Sequence, residues 1–356
     1  MNKVLFIDSA PFVGGAQESF ASLVESFPDC AVAVGDGLAT RFPNATHIHA
    51  RHWPANITGL FQFLSDRRKA AHILRSIVPA SSVSLCGENA AAPLALLHAN
   101  TLRSALLLTS LPISCPVIVH DRDIHAPRLA VRYIAKKLNP TIIAISSTVA
   151  QKWRGILPDD SIHIIYNGFR LEEIRSAKPV QFPWDGPTIA LVADFIPWKR
   201  HKLFIDAFAL AKQRVPNLHA IIRGRVRSDD GQTYLDALRK HSLGIQNLSF
   251  ATKAGTALGH IAASDMVVSC SENEPFGRTI IEALALSKPV VATPTAAPPE
   301  LFETLAPNLI KADDSPQSIA DAIVANISRQ FPQPSLDAFS METMLARISA
   351  IHAMAN

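Results

Sequence analysis

The sequence predicts an α/β protein of two domains, each a parallel sheet with helices on both faces. Three observations carry that expectation. Short apolar runs alternate with helix-like segments along almost the whole chain. At 356 residues, 48% of them hydrophobic, the chain is longer than one core usually serves, since single cores stop growing near about 250–300 residues. A polar, proline-bearing stretch from Asn167-Gly168 to Pro183-Trp-Asp-Gly-Pro187 interrupts the alternation with the turn chemistry of a linker.

Taken in order, the chain opens Met1-Asn-Lys-Val-Leu-Phe-Ile-Asp8, a strand over 4–7 that runs into a loop and lacks the apolar core and cleavage site of a signal peptide. Further strands are expected at 31–34, 82–85, 117–119 and 142–145, and in the second half at 189–193, 220–222, 248–250, 266–269 and 290–292. Residues 127–137 read as a helix whose Arg128, Arg132 and Lys136 form a basic stripe beside apolar Leu129, Ile134 and Leu138. Such a stripe suits an anionic lipid surface, or is simply the wet face of a packed helix. Phe331-Pro-Gln-Pro334 precedes a last helical pattern, 336–353, long enough to cross to another domain. The expected division is 1–168, 169–335 and a C-terminal helix 336–356.

Composition excludes several classes of function. The net charge of +4 is too slight to indicate nucleic acid, yet it tolerates anionic substrates. Cys30, Cys86, Cys115 and Cys270 sit in apolar stretches without metal-type spacing, which predicts buried thiols in a reducing compartment. No apolar run reaches the roughly 18–20 residues that span a bilayer. A cytoplasmic protein is expected, at most peripheral to the inner face of a membrane.

The most informative segment is Ser271-Glu-Asn-Glu-Pro-Phe-Gly-Arg-Thr-Ile-Ile-Glu282. An apolar run, 265–270, precedes it as a buried strand. Pro275 and Gly277 then mark a turn, and Ile280, Ile281, Leu284 and Leu286 give the apolar face of a helix. A helix N-terminus presents unpaired N–H groups and a partial positive charge, which suits phosphate, and Arg278 adds a full charge. Glu274 and Glu282 offer paired acceptor oxygens to vicinal hydroxyls.

These residues resemble a known family, the nucleotide-sugar-dependent glycosyltransferases of the GT-B fold, specifically the large retaining group called family 4. Glu274-Pro-Phe-Gly-Arg-Thr-Ile-Ile-Glu282 is similar to its signature of two glutamates separated by seven residues, and 283–293 continue the likeness. Tyr166-Asn-Gly-Phe169 resembles its interdomain turn, Gly14-Gly-Ala-Gln17 its glycine pair after the first strand, and Phe339-Ser-Met-Glu342 the start of the helix that returns to the first domain. The resemblance implies two Rossmann-like domains, a nucleotide diphosphate sugar (UDP or GDP sugar) as donor, no metal and no other cofactor. It also implies transfer to a hydroxyl acceptor with retention of configuration, as in polysaccharide or glycoconjugate biosynthesis.

It implies residue roles as well. Lys199 corresponds to the diphosphate-binding lysine, Glu274 to the residue facing the sugar, Glu282 to the acceptor of ribose hydroxyl bonds, and His120 to the first-domain histidine beside the sugar. Gly14 and Gly15 would admit the diphosphate closely. Backbone N–H groups of Phe276, Gly277 and Arg278, together with Thr279, Arg200 and Arg225, complete the expected donor site. The loop 252–254 is where the nucleobase would pack.

The chain departs from the pattern twice. Asp194 stands where an arginine is usual, five residues before Lys199, so Arg200, Arg223, Arg225 or Arg278 must supply the missing cation. Val226 replaces the second glycine of the Arg223-Gly-Arg-Val226 loop. Four other readings stay open: a non-catalytic nucleotide-sugar-binding protein, a GT-B sugar-nucleotide epimerase, and, for His120-Asp-Arg-Asp-Ile-His125 alone, a divalent-metal element or a loop cap.

Overall fold

The computed structural model describes residues 3–48, 57–75, 94–252 and 257–355. The chain divides into two compact units, residues 1–168 with 342–356, and residues 169–341. The first holds β1 (Lys3–Asp8), β2 (Ala31–Val34), β3 (Thr46–His47), β4 (Leu94–Asn100), β5 (Val117–Asp121), β6 (Thr141–Ala144) and β7 (Ile162–Ile164). They pair in parallel in the order β3-β2-β1-β4-β5-β6-β7. The second holds β8 (Thr188–Val192), β9 (His219–Arg223), β10 (Leu248–Ala251), β11 (Met266–Ser269), β12 (Val290–Ala292) and β13 (Leu309–Lys311). Their order is β10-β9-β8-β11-β12-β13, again parallel. This is the α/β, two-sheet architecture the alternation predicts.

Strands with both faces covered read as unbroken apolar runs, and all three residues of β12, Val290-Val-Ala292, are buried. In the second unit Phe195, Phe204 and Phe208 are fully buried beneath β8 and β9. Ile319 and Ile323 of the helix Pro316–Asn326 join them in one core. Because every strand is parallel, all carboxyl ends of a sheet share one edge. Strand order reverses between β1 and β4 in one sheet and between β8 and β11 in the other. Those reversals are where such sheets open a crevice for ligands.

Several elements differ from expectation. The strand expected at 82–85 lies outside the described residues. β4 was not anticipated because it carries His98 and Asn100 and passes straight into the helix Thr101–Leu108 through a single left-handed residue, Thr101 (φ 76°), with no glycine or proline to punctuate it. β3, β7 and β13 are two or three residues long, too short for periodicity to register. The final helix is Met341–Ala355, preceded by a tight 3-10 turn at Asp337–Phe339 rather than continuous from 336.

Two surface readings also change. In the helix Arg128–Leu138 the buried face is Val131, Ile134 and Ala135, and Leu129 is 78% exposed among the basic residues. Cys30, Cys115 and Cys270 are free thiols, but only Cys270 is buried, and desolvation pushes its pKa up to about 12. Cys86 lies outside the described residues. No described helix is long and apolar enough to cross a membrane.

Candidate active site

In the second unit the loop after β8 and the loop after β11 meet at the point of strand reversal. The loop after β8 closes in a 3-10 turn, Pro197–Lys199, and Arg200 takes a left-handed conformation (φ 54°) to start the helix His201–Arg214. The loop after β11 ends at Gly277, also left-handed (φ 88°), which begins the helix Arg278–Ala285. Backbone bonds tie the two loops: the Glu272 N–H donates to the Trp198 carbonyl (2.8 Å), and the Glu274 N–H to the Thr295 carbonyl (2.9 Å). Between them the Lys199 ammonium donates to Glu274 Oε2 at 2.5 Å and lies 3.9 Å above the Trp198 ring. Two expected site residues, 75 positions apart, thus touch.

The expected partners of this pair divide by what they already hold. Glu282 lies 3.5 Å from Arg278 one turn away, and desolvation raises its pKa against the opposing pull of that guanidinium. Arg278 also stacks over the Phe169 ring at 4.8 Å. The Phe276 side chain is buried between Phe169 and Phe339. The Thr279 hydroxyl donates to the Val192 carbonyl at the end of β8. Arg200 forms a two-bond ion pair with Asp314, at 2.6 and 2.8 Å, so it is less available than expected.

Asp194 has the offsetting cations that its position demands. Arg225 Nε donates to Oδ1 at 3.1 Å and Arg227 Nε to Oδ2 at 2.5 Å. One carboxylate between two guanidiniums leaves the cluster net positive. Arg227 was missed, although the alternation Arg223-Gly-Arg-Val-Arg227 places Arg225 and Arg227 on one side of an extended segment. Arg223 points inward instead, buried against the Gly224 and Ala251 carbonyls. Gly224 is obligatory, since a Cβ there would sit 2.1 Å from the Ala193 carbonyl oxygen. Val226 turns onto the core of the unit.

In the first unit the carboxyl ends of β1, β4 and β5 gather a buried polar network. Asp8 accepts from Gln17 Nε2 (3.2 Å), from the Ala10 N–H (2.8 Å) and from Asn100 Nδ2. Arg122, 3% exposed, donates through Nε to Asn100 Oδ1 (2.5 Å) and through Nη1 to Asn167 Oδ1. His120 is fully buried beside His98, which in turn contacts His352 of the final helix. Burial holds His98 and His120 well below the ordinary imidazole pKa and His352 at about 4, so all three rings are neutral at pH 7.

Asp121 pairs with Lys152 (2.9 Å) and Trp153 Nε1 (2.7 Å), and accepts the Asp123 N–H (3.2 Å), which is a cap rather than an open ligand set. Among the described residues no group of three or more His, Cys, Asp or Glu is placed to hold a metal. Gly14 precedes the helix Gly15–Val24, and its N–H is bonded to Gln17 Oε1 at 3.0 Å, so it is not an idle phosphate donor. Gly15, the first helical residue, is exposed. Residues 253 and 254 of the expected base-packing loop lie outside the described residues. Of the network, only His120 was anticipated. A signal was present in the polar residue closing each of three apolar strands, Asp8, Asn100 and Asp121.

Residues 173–335, within the second unit, match the family described as glycosyl transferases group 1. HepE of Anabaena, in complex with UDP, is similar over 99% of this chain and 100% of its own, at 20% identity with a TM-score of 0.75. Sucrose-phosphate synthase of Thermosynechococcus elongatus is similar over 99% of each chain, at 15% identity and a TM-score of 0.71. The fold is that of GT-B glycosyltransferases. Mannosylfructose-phosphate synthase of Agrobacterium fabrum is 28% identical over 124 residues, 32% of this chain and 26% of that protein. Trehalose synthase of Thermococcus litoralis is 31% identical over 112 residues, 30% and 27% respectively. The matched stretches therefore span about a quarter of those relatives' length.

Proposed function

We propose that the protein is a retaining glycosyltransferase that moves a sugar from a nucleoside diphosphate sugar to a hydroxyl acceptor, without a resident metal. The observation that carries this reading is the Lys199–Glu274 pair, set where strand order reverses in the second sheet and beside a helix start. In the reaction the bond between the anomeric carbon and the diphosphate oxygen breaks, and the acceptor oxygen takes its place. The acceptor's proton leaves with the diphosphate. Negative charge grows on the leaving group, and Lys199, the N–H groups at Gly277 and Arg278, and the net positive Asp194–Arg225–Arg227 cluster are suited to meet it. Glu274 then accepts from sugar hydroxyls, and Glu282 from the ribose.

The UDP and UDP-glucose bound by HepE support a uridine nucleotide as the first donor to try. Gly14, Gly15 and His120 of the first unit are proposed to complete donor binding. The binding-only reading draws on both departures, Asp194 and Val226, and the pairing of Asp194 with two arginines weakens the first of them. For the acceptor, we propose a hydroxyl-bearing glycan, a lipid-linked saccharide or a small molecule. The exposed Leu129 among Arg128, Arg132 and Lys136 supports contact with an anionic membrane surface, which sedimentation with anionic and neutral vesicles tests.

The deciding experiment is a thermal-shift panel of nucleotide sugars followed by product analysis. A ligand at about 100 times its Kd stabilises by about 2.7 kcal/mol. Release of nucleoside diphosphate with appearance of a glycosylated acceptor supports the proposal. Binding without turnover over a broad acceptor set would favour the binding protein, and an isomerised or freed sugar would favour the epimerase.

A further inference from the structure

His120 is fully buried, and its Nε2 makes no hydrogen bond among the described residues. Its other nitrogen is crowded. Arg122 Nη2 lies 3.4 Å from His120 Nδ1, and His98 Nε2 lies 3.3 Å from the same atom. A guanidinium has donors only and stays protonated, so Nδ1 must be the acceptor and the imidazole proton must sit on Nε2. Arg122 cannot swing away, because its Nε and Nη1 are held by Asn100 and Asn167.

The constraint then propagates. With a lone pair already on His120 Nδ1, the facing His98 Nε2 must carry a hydrogen, which leaves His98 Nδ1 as an acceptor. His352 Nε2, 2.9 Å from that atom, must therefore be a donor. Each ring passes its orientation to the next, from the end of β5 through β4 to the C-terminal helix. An isolated string of three neutral imidazoles has two equivalent directions of hydrogen bonding. A fixed cation at one end leaves only one of them.

We propose that Arg122 is a positioning residue that fixes the tautomers of His120, His98 and His352, so that His120 presents Nε2–H and acts only as a hydrogen-bond donor, never as a base. The acceptor it meets would be an uncharged or anionic oxygen of a bound ligand. That last part rests on the glycosyltransferase reading; the tautomer assignment does not.

Long-range nitrogen–proton correlation NMR of the free, full-length protein labelled with 15N-histidine tests the assignment, because the two ring nitrogens of a neutral imidazole shift apart according to which carries hydrogen. Single replacement of each of the three histidines identifies the signals. Expected is a pure Nε2–H form for all three rings, and a mixture of both forms in Arg122→Met. An Nδ1–H form of His120 in the unaltered protein, or an unchanged pure form in a folded Arg122→Met, overturns the proposal.

Should Arg122→Met fail to fold, His120→Gln and His120→Asn keep it testable, since the amide nitrogens stand close to the Nε2 and Nδ1 positions respectively. With UDP-glucose as probe, Gln should hold affinity nearer to that of the unaltered protein and Asn should lose roughly 10-fold, the worth of one hydrogen bond. Equal losses sink the donor role. Absence of nucleotide-sugar binding by the unaltered protein sinks the parent reading and leaves the NMR result standing.

Discussion

Lys199 and Glu274 neutralise each other at 2.5 Å with side chains only 16% and 14% exposed, so the cation proposed for the leaving diphosphate and the carboxylate proposed for the sugar are one coupled unit. A ligand that brings its own negative charge and its own hydroxyls must part them or bridge them. Both residues are therefore held ready in orientation, at the cost of an internal contact. Replacing Lys199 by Ala is expected to lower kcat by on the order of 10²–10³ while UDP binding weakens less. Steady-state kinetics with a confirmed donor, alongside a melting curve to exclude misfolding, makes the check.

Asp194 restrains two arginines, and its removal should free positive charge. In Asp194→Asn the Arg225 and Arg227 guanidiniums lose their carboxylate, and affinity for a nucleoside diphosphate is expected to rise several-fold with a steeper dependence on salt. Stability should change by no more than about 1 kcal/mol, because all three side chains are partly exposed. Titration calorimetry with UDP at two ionic strengths reads the outcome. Weaker binding with an unchanged salt slope would show that the carboxylate itself meets the ligand.

Gly277 has a φ of 88°, and a Cβ there would come within 2.9 Å of Ile280 Cδ1. Gly277→Ala is therefore expected to cost about 1–2 kcal/mol for the left-handed conformation alone. A melting experiment on the variant should show a fall in Tm. No change would mean that the loop relaxes into another conformation.

Stability should decline in acid through the histidine string. His352 has its pKa held at about 4 and His98 and His120 are also lowered, whereas in the unfolded chain each titrates near about 6.5. The unfolded state thus binds more protons, so stability is constant above the unfolded value and falls as pH drops from about 6.5 toward 4. Each histidine contributes up to about 1.4 kcal/mol per pH unit. Buried Asp8 and Asp121, whose pKa values are raised, act in the opposite sense nearer the acid end. His352 lies against the Phe6 and Phe27 rings, so His352→Phe should fit and should flatten the pH dependence. Urea denaturation at pH 7, 6 and 5 compares the two proteins.

Glu282 separates a ligand-binding carboxylate from a purely structural one. Glu282→Gln keeps the shape beside Arg278 but halves the acceptor capacity offered to vicinal hydroxyls. A roughly 10-fold loss of UDP affinity with little change in Tm is expected. Equal affinity for UDP would reduce Glu282 to the partner of Arg278.

The second unit was legible because its signals are local. Strand, turn and helix around Gly277 follow one another within twenty residues, and the apolar periodicity of Ile280, Ile281 and Leu284 states which face is buried. The contact of Lys199 with Glu274 was legible only through family resemblance, since the topology that joins their loops has no local trace. In the first unit Asp8, Asn100, Arg122, Asn167 and His352 come together from five separate stretches. Asp8 and Asn100 each close an apolar run, and none of the five carries a local sign of the others. Arg200 shows the opposite failure: its position beside Lys199 suggested a ligand, yet Asp314 more than a hundred residues away claims it.

One last consequence comes from the backbone where the second unit begins and ends. The Phe169 N–H donates to the Phe339 carbonyl at 2.9 Å, and the Met341 N–H donates back to the Phe169 carbonyl at 3.0 Å. The entering and leaving segments therefore meet in an isolated parallel bridge between Phe169 and Ser340, and residues 169–341 form a closed excursion inserted into an otherwise continuous first unit. An excursion with adjoining ends costs little closure entropy and can be lifted out or exchanged without re-routing the host chain. The second unit is, topologically, a replaceable cassette.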